Sequence, residues 1–245
     1  EEALALDDSL PRAWYVLGIN QLLYEWKWAG AEEAFRRAVE AGPDDARGHV
    51  GLGYTFAVQG NLDKGIDEMT QATKLDPLSP VWTYGAGMIY YWMRKEAEAT
   101  EELGKSLEID PKFLLSRLLL GQVHLFAGRL DDALREFSQA ARDSGDHPYA
   151  LGFLAHALAA SSQKSEAEKL ITLLGNLSTQ RYVPPLAMAV AYLGTGEIGP
   201  AFDWLNRAVD EREPRMTHVK VGPLFDPLHP DSRFQTLLCR VGLPQ

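Results

Sequence analysis

The sequence predicts an all-α fold, a right-handed solenoid of about six helix pairs closed by a C-terminal capping helix. Two superimposed ladders predict it. Small residues recur every 34 positions, at Ala31, Gly65, Ala99, Ala133, Ala167 and Ala201. A bulky apolar residue follows each of them four positions later, at Phe35, Met69, Leu103, Phe137, Ile171 and Leu205. A fixed period of this length is typical of stacked helix pairs, which present a long concave surface and no catalytic cleft.

The unit at residues 46–79 shows the elements of one pair in order. Its first half, residues 46–57, predicts helix A, and Gly60-Asn61 predicts a turn. Residues 62–75 predict helix B, because Ile66, Met69 and Ala72 fall on one helical face. Pro77 ends the unit, since proline resists continuing a helix. Equivalent units begin at Pro80, Leu114, Pro148 and Tyr182.

The first unit, from Pro11, differs by one extra residue in its turn at residues 24–30. Its helix-A residues therefore stand 35 positions ahead of their counterparts, although the helix-B ladder keeps its period of 34. Glycine recurs at one helix-A position, at Gly18, Gly53, Gly87 and Gly121. Glycine within a helix costs about 1 kcal/mol relative to alanine, so this recurrence predicts close approach between helices.

The two ends of the chain predict different structures. Residues 3–8 parallel the end of a helix B, so we expect the solenoid, residues 1–215, to begin within a repeat of a longer protein. Residues 216–245 form a proline-rich tail. Its last part predicts a capping helix with Phe234, Leu237, Leu238 and Val241 on the apolar face.

Composition excludes several classes of function. The net charge of −10 and the pI of about 5.1 disfavour nucleic acid as a partner. The longest apolar runs are shorter than the ~20 residues of a membrane-spanning helix, so no membrane insertion is expected. A single cysteine, Cys239, fits a reducing compartment, and we expect a cytoplasmic protein.

Motifs of catalysis, cofactor binding and metal binding are missing from the sequence. There is no GxxxxGK loop, and His147 and His156 are nine positions apart rather than four. Acidic pairs such as Asp131-Asp132 lie near helix starts, where carboxylates favour the helix dipole. We therefore expect no enzymatic activity, no cofactor and no metal site.

The repeat resembles the tetratricopeptide repeat. Its order of large apolar, Leu-Gly, aromatic, small and proline positions is matched by Trp14-Leu17-Gly18, Ala31, Phe35, Ala38 and Pro43. The resemblance covers residues 1–215. The tail is similar to the C-terminal ends of many bacterial repeat proteins, in which the repeats follow a winged-helix, kinase or cyclase domain. This resemblance implies a regulatory C-terminal module.

The resemblance also implies which residues face a partner, because helix A builds the concave wall in tetratricopeptide folds. The implied partner-binding residues are Tyr15, Tyr54, Tyr84, Met88, Tyr91, Trp92, Gln122, Tyr149 and His156. We expect the site to centre on the third unit and Tyr54, and we leave open that some of these residues pack between repeats. Chaperone tails are unexpected partners, since the positions that grip their carboxylate carry Tyr15, Ile19, Val50 and Tyr54.

Three hypotheses of function follow. The first is a protein-interaction scaffold that holds a protein or peptide segment in the concave groove. The second is a segment that senses a small ligand or peptide and regulates a kinase, cyclase or transcription factor. The third is self-association through exposed repeat ends.

Overall fold

The computed structural model describes Leu4 and residues 6–243, and within this part of the chain it contains 13 α-helices and no strand. Twelve of the helices form six successive pairs. The pairs are α1 (Pro11–Asn20) with α2 (Trp28–Ala41), α3 (Ala46–Val58) with α4 (Leu62–Leu75), α5 (Pro80–Trp92) with α6 (Glu96–Ile109), α7 (Leu114–Phe126) with α8 (Leu130–Ser144), α9 (Pro148–Ala160) with α10 (Lys164–Leu177), and α11 (Pro185–Thr195) with α12 (Ile198–Asp210). The predicted all-α solenoid of about six pairs is confirmed.

Both ladders of the sequence lie in the core. The six small residues from Ala31 to Ala201 are all buried, and so are five of the six bulky residues that follow them. The exception is Ile171, which is only partly buried. In that fifth pair Leu174, three positions further along α10, is fully buried instead. The other repeats carry Ala or Ser at the position of Leu174, so in this pair the fully buried bulky side chain is that of Leu174 rather than that of Ile171.

The recurring glycines allow the two helices of a pair to touch, as predicted. A Cβ added to Gly121 would lie 2.5 Å from Cε1 of Phe137, which is fully buried on α8. Gly53 and Gly65 oppose each other, and a Cβ on either would lie 2.9 Å from the carbonyl oxygen of the other. The backbones of α3 and α4 are thus in direct contact at this crossing.

The extra residue of the first unit is accommodated by a π-helix, Gln21–Glu25, that follows α1 directly. A π turn contains one residue more than the α turn it replaces, so it absorbs an insertion without breaking the helix. Trp26 ends the π-helix in the left-handed conformation, with φ 56°. The one-residue insertion therefore determines the position of Trp26.

The turn after helix A contains a residue with positive φ in every pair. This series runs Trp26, Gly60, Arg94, Gly128, Ser162 and Gly196, at intervals of 34. Glycine adopts this conformation without the steric penalty that other residues meet. The three other residues at this position thus hold a strained backbone.

From here on, the tail denotes all residues after α12: they form two 3₁₀ helices, Pro214–His218 and Pro223–Leu228, and a last helix α13, Ser232–Val241. The capping helix is confirmed, since Phe234, Leu237, Leu238 and Val241 are all buried. It packs on α12, where Arg240 pairs with Asp210.

The start of the tail also contacts the first pair. The guanidinium carbon of Arg212 lies 4.5 Å from the ring centroid of Trp26, and its Nη1 donates to the carbonyl oxygen of Glu25 at 3.1 Å. The tail thereby connects the last pair of helices to the first.

The expected helix-B ending before α1 depends on residues 1–3 and 5, which lie outside the described residues. In the described part of the chain, no helix combines the length and apolar character needed to cross a bilayer.

Candidate partner-binding site

The first helices of successive pairs form a continuous wall. Helix α1 contacts α3, α3 contacts α5, α5 contacts α7, and α7 contacts α9. The predicted site residues lie on these five helices. We call the face that they share with the tail the inner wall, because the two 3₁₀ helices of the tail lie against it.

Tyr54 and Trp92 hold the first 3₁₀ helix of the tail. The hydroxyl oxygens of Tyr54 and Thr217 are 2.7 Å apart and share a hydrogen bond. The rings of Trp92 and His218 meet edge to face, with centroids 5.5 Å apart. Thr217 is fully buried, and burial raises the pKa of the Tyr54 phenol. Two of the predicted partner contacts are therefore occupied by the chain itself.

Arg94, at the turn after α5, holds the second 3₁₀ helix. Its Nη2 lies 2.8 Å from both carboxylate oxygens of Asp226, and its Nη1 donates to the carbonyl oxygen of Val221. Both charged side chains are about one-third exposed, so solvent weakens their attraction. Tyr91, one of the predicted contacts, is buried beside this turn and packs edge-on against Phe126.

Tyr149 on α9 holds the link between α12 and the tail. Its hydroxyl donates to Oε1 of Glu213, and the backbone N–H of Leu186 donates to Oε2 of the same carboxylate at 2.9 Å. Burial raises the pKa of Glu213, and the hydrogen bond from Tyr149 opposes this rise. The face of the Tyr149 ring carries the guanidinium of Arg215, with 4.4 Å between the guanidinium carbon and the centroid.

Three other predicted residues make local contacts. Tyr15 is partly buried against Phe35 within the first pair. Gln122 donates to the carbonyl oxygen of Leu118, one turn earlier in α7. His156 packs between α9 and α11, where its Nδ1 lies 3.0 Å from the carbonyl oxygen of Val190.

An open apolar cavity of about 280 Å³ remains beside the first 3₁₀ helix. We call it the inner cavity. It lies between α1, the π-helix, α3 and α5 on one side and the tail on the other. Its lining comprises Ile19, Leu22, Leu23, Val50, Gly51, Tyr54, Met69, Val81, Tyr84, Gly85, Met88, Leu115, Pro214, Arg215 and His218. It therefore brings together Tyr54, Tyr84 and Met88 of the predicted site.

Three polar side chains of this lining have no hydrogen-bond or ion-pair partner among the described residues. Arg215 forms no ion pair and no hydrogen bond with any residue that the structure describes. The Tyr84 hydroxyl likewise has no hydrogen-bond partner within the described ranges, although its ring packs on Phe113. Nδ1 of His218 is buried and unbonded. Burial raises the pKa of Tyr84, and the nearby charge of Arg215 opposes that rise.

Arg215 and His218 are not among the predicted site residues, because both lie in the 3₁₀ helix after α12 rather than on a helix A. The signal available was the basic residue that follows Pro214 directly after the last helix B.

A family model described as tetratricopeptide repeat matches residues 20–80 and 118–174, just under half of the chain. The human protein Tetratricopeptide repeat protein 6 (Homo sapiens) is 23% identical over 112 residues. The match covers 45% of this chain, and it spans about a fifth of the length of that relative.

Solved structures show the same fold. The APC/C hetero-tetramer Cut9–Hcn1 superposes with a TM-score of 0.66 at 20% identity, over 98% of this chain and 44% of that chain. YrrB, a tetratricopeptide repeat protein with an unusual peptide-binding site, gives a TM-score of 0.51 at 15% identity, over 82% of this chain and 95% of its own. The repeats, their pairing and these matches agree: residues 20–80 and 118–174 match the tetratricopeptide repeat family, and the chain has the fold of tetratricopeptide repeat proteins.

Proposed function

We propose that the chain is a protein-interaction scaffold that binds a segment of a partner protein at the inner cavity. One observation carries this proposal: the tail covers the inner wall around Trp92 and Tyr149, whereas the apolar wall from α1 to α5 stays open beside it. An open apolar recess with a few polar groups at its wall is the usual form of a binding site. The proposed partner-binding region therefore comprises Tyr54, Tyr84, Met88 and their neighbours in the cavity lining.

The tail supports the proposal because it is an internal example of a segment held by this wall. Its contacts combine a tyrosine hydroxyl on Thr217 with a tryptophan edge on His218. Tyrosine and tryptophan bury a large area while keeping a polar group available, and they are frequent anchors of interfaces. A partner segment would extend this type of contact towards α1.

The lining supports an apolar anchor. Ile19, Leu23 and Val50 are partly exposed on the first two pairs, and Val81 at the start of α5 is 42% exposed. Burying an apolar side chain contributes about 25 cal/mol for each Å² removed from water. We therefore propose that the partner inserts one large apolar side chain. Both similar structures described above, one in complex with Hcn1 and one with a peptide-binding site, are consistent with binding of a protein segment.

A second candidate function is the sensing of a small ligand that regulates a larger protein. The size of the cavity favours it, because about 280 Å³ lies close to the ~300 Å³ of the smallest ligand pockets. Fragment screening by ligand-observed NMR tests it. Fragments that bind the wild type but not Val81→Glu, which changes the cavity lining, would support this candidate.

The test uses a random heptapeptide display library panned on the full chain. Enriched peptides are then titrated against wild type, Val81→Glu and Leu78→Glu. Val81 lines the cavity, whereas Leu78, three positions earlier, is 78% exposed outside it. We expect Val81→Glu to weaken binding at least tenfold and Leu78→Glu to leave it unchanged. Equal binding by all three proteins would refute the site.

A further inference from the structure

The inner cavity also indicates the chemistry of the segment that it binds. We propose that the segment bound in the inner cavity carries an acidic side chain next to its apolar anchor, and that Arg215 binds this carboxylate. The inference rests on the proposed function, since it concerns the same cavity and the same partner segment.

Arg215 forms no direct ion pair with the described residues, although its charge acts on the nearby Glu213. It lines the inner cavity, and no carboxylate of the described residues lies within ion-pair distance of it. Its acidic neighbour Glu213 already accepts hydrogen bonds from Tyr149 and from the backbone of Leu186. The guanidinium carbon lies 4.4 Å from the centroid of the Tyr149 ring, and none of its N–H groups donates to a described residue. A guanidinium held in this way suits the two oxygens of a carboxylate.

Two further groups complete a carboxylate site. The Tyr84 hydroxyl is near enough to Arg215 for the positive charge to affect its pKa, and it donates to no described residue. Nδ1 of His218 is buried without a partner in the same lining. Buried polar groups in native proteins are nearly always hydrogen-bonded, so the unbonded Nδ1 of His218, together with the unpaired side chains of Arg215 and Tyr84, points to a polar ligand at this recess.

The charge of the site indicates a carboxylate rather than a phosphate. Arg215 is the one charged residue among those that line the cavity. Burial together with Arg215 lowers the pKa of His218 to about 3, so the imidazole is neutral and adds no second positive charge. A phosphate group carries close to two negative charges at neutral pH, whereas one guanidinium balances one carboxylate.

The net charge of the protein also bears on where an acidic side chain can bind. With a net charge of −10, the surface as a whole repels an acidic segment. An acidic side chain is therefore stabilised only where a local cation is free, and this fixes the register of the partner in the groove. Among the residues that line the inner cavity, none of those on the repeat helices is charged. The tail supplies the cation.

The experiment sequences the heptapeptides that the display library yields on wild type and on Arg215→Gln, with the peptides fused at their C-terminal ends so that only side chains offer carboxylates. We expect wild-type binders to carry Asp or Glu within two positions of a large apolar residue, and Arg215→Gln to lose this enrichment. A synthetic binder should lose about tenfold or more in affinity for wild type when its acid is replaced by the amide. Arg142→Gln, on the exposed face of α8, is the matched control and should behave as wild type.

Tyr84→Phe provides a second test that does not depend on the folding of Arg215→Gln. It removes one hydroxyl and should weaken the acidic peptide severalfold while leaving its amide version unaffected. Apolar binders without acidic residues, or equal affinity of the acid and amide peptides for wild type, would overturn the carboxylate inference and leave the apolar site intact. Binders that ignore Val81→Glu would instead overturn the proposed function.

Discussion

Tyr54 on α3 donates a hydrogen bond to Thr217 in the tail, 163 residues later in the chain, over 2.7 Å. The direction follows from Thr217, whose single hydroxyl proton is donated to the carbonyl oxygen of Pro214 at 2.8 Å. The tail is therefore part of the inner wall, with defined hydrogen bonds to the repeats. Any segment that binds the wall must bind beside the tail or replace it.

The Tyr54–Thr217 bond predicts a measurable contribution to stability. Tyr54→Phe removes the donor and keeps the ring, so we expect the free energy of unfolding to fall by about 0.5–1.5 kcal/mol. Urea denaturation measures this change. Tyr24→Phe is the control, since Tyr24 is exposed and forms no hydrogen bond with the described residues, and it should change nothing. Equal stability of both variants and wild type would show that this hydrogen bond does not stabilise the fold.

The close approach of helices at Gly121 predicts opposite effects for two glycine substitutions. Gly121→Ala places a methyl group 2.5 Å from the Phe137 ring, which is fully buried. We expect a loss of about 1–3 kcal/mol from overpacking. Gly104 lies inside α6 with open space around it, so Gly104→Ala should gain about 1 kcal/mol from helix propensity. Thermal unfolding of both variants checks the signs, and a stabilising Gly121→Ala would contradict the packing.

The positive-φ series predicts which turns tolerate glycine. Ser162 has φ 62° and its side chain forms no hydrogen bond with the described residues, so Ser162→Gly should stabilise the fold by about 1 kcal/mol. Arg94 has φ 61°, but it also binds Asp226 and Val221. Arg94→Gly relieves the same strain and loses these contacts. Chemical denaturation should therefore show a smaller gain, or a loss, for Arg94→Gly; equal gains would mean that the tail contacts contribute nothing.

His218 predicts a dependence of stability on pH. Its pKa falls from 6.5 to about 3 in the folded protein because of burial and the charge of Arg215. Below pH 6.5 the unfolded chain therefore binds one more proton at this residue, and the free energy of unfolding decreases as the solution is acidified. The raised pKa of Glu213 acts in the opposite direction above pH 4.5.

His218→Gln isolates this effect. Between pH 6.5 and 5 the variant should lose less stability than wild type, by up to about 1.4 kcal/mol for each pH unit, which corresponds to one proton. Denaturation curves at several pH values measure the difference. Parallel curves for the two proteins would show that His218 titrates normally in the folded state.

The repeat fold could be predicted from the sequence because its contacts are local and periodic. The ladder from Ala31 to Ala201 identifies each helix crossing, and the extra residue near Tyr24 identifies the irregular turn that forms the π-helix. The path of the tail could not be predicted in this way. It depends on single long-range contacts, such as Arg94 with Asp226, that no period in the sequence reveals.

The candidate site was predictable only in part for the same reason. Tyr54, Tyr84 and Met88 follow from their positions in helix A, and the structure places all three at the inner cavity. Trp92 and Tyr149 occupy equivalent positions, but the tail covers them. Arg215, which the proposed recognition requires, lies in the 3₁₀ helix that follows α12 and not on a helix A.

The most direct test of the inner cavity as the binding site follows methionine methyl groups by NMR while an enriched acidic peptide is added to the full chain. Met69 and Met88 line the cavity, whereas Met188 is buried on α11 away from its lining. We expect the methyl signals of Met69 and Met88 to shift in proportion to the peptide bound and the signal of Met188 to stay in place. Shifts at Met188 without shifts at Met69 and Met88 would contradict the assignment of the site.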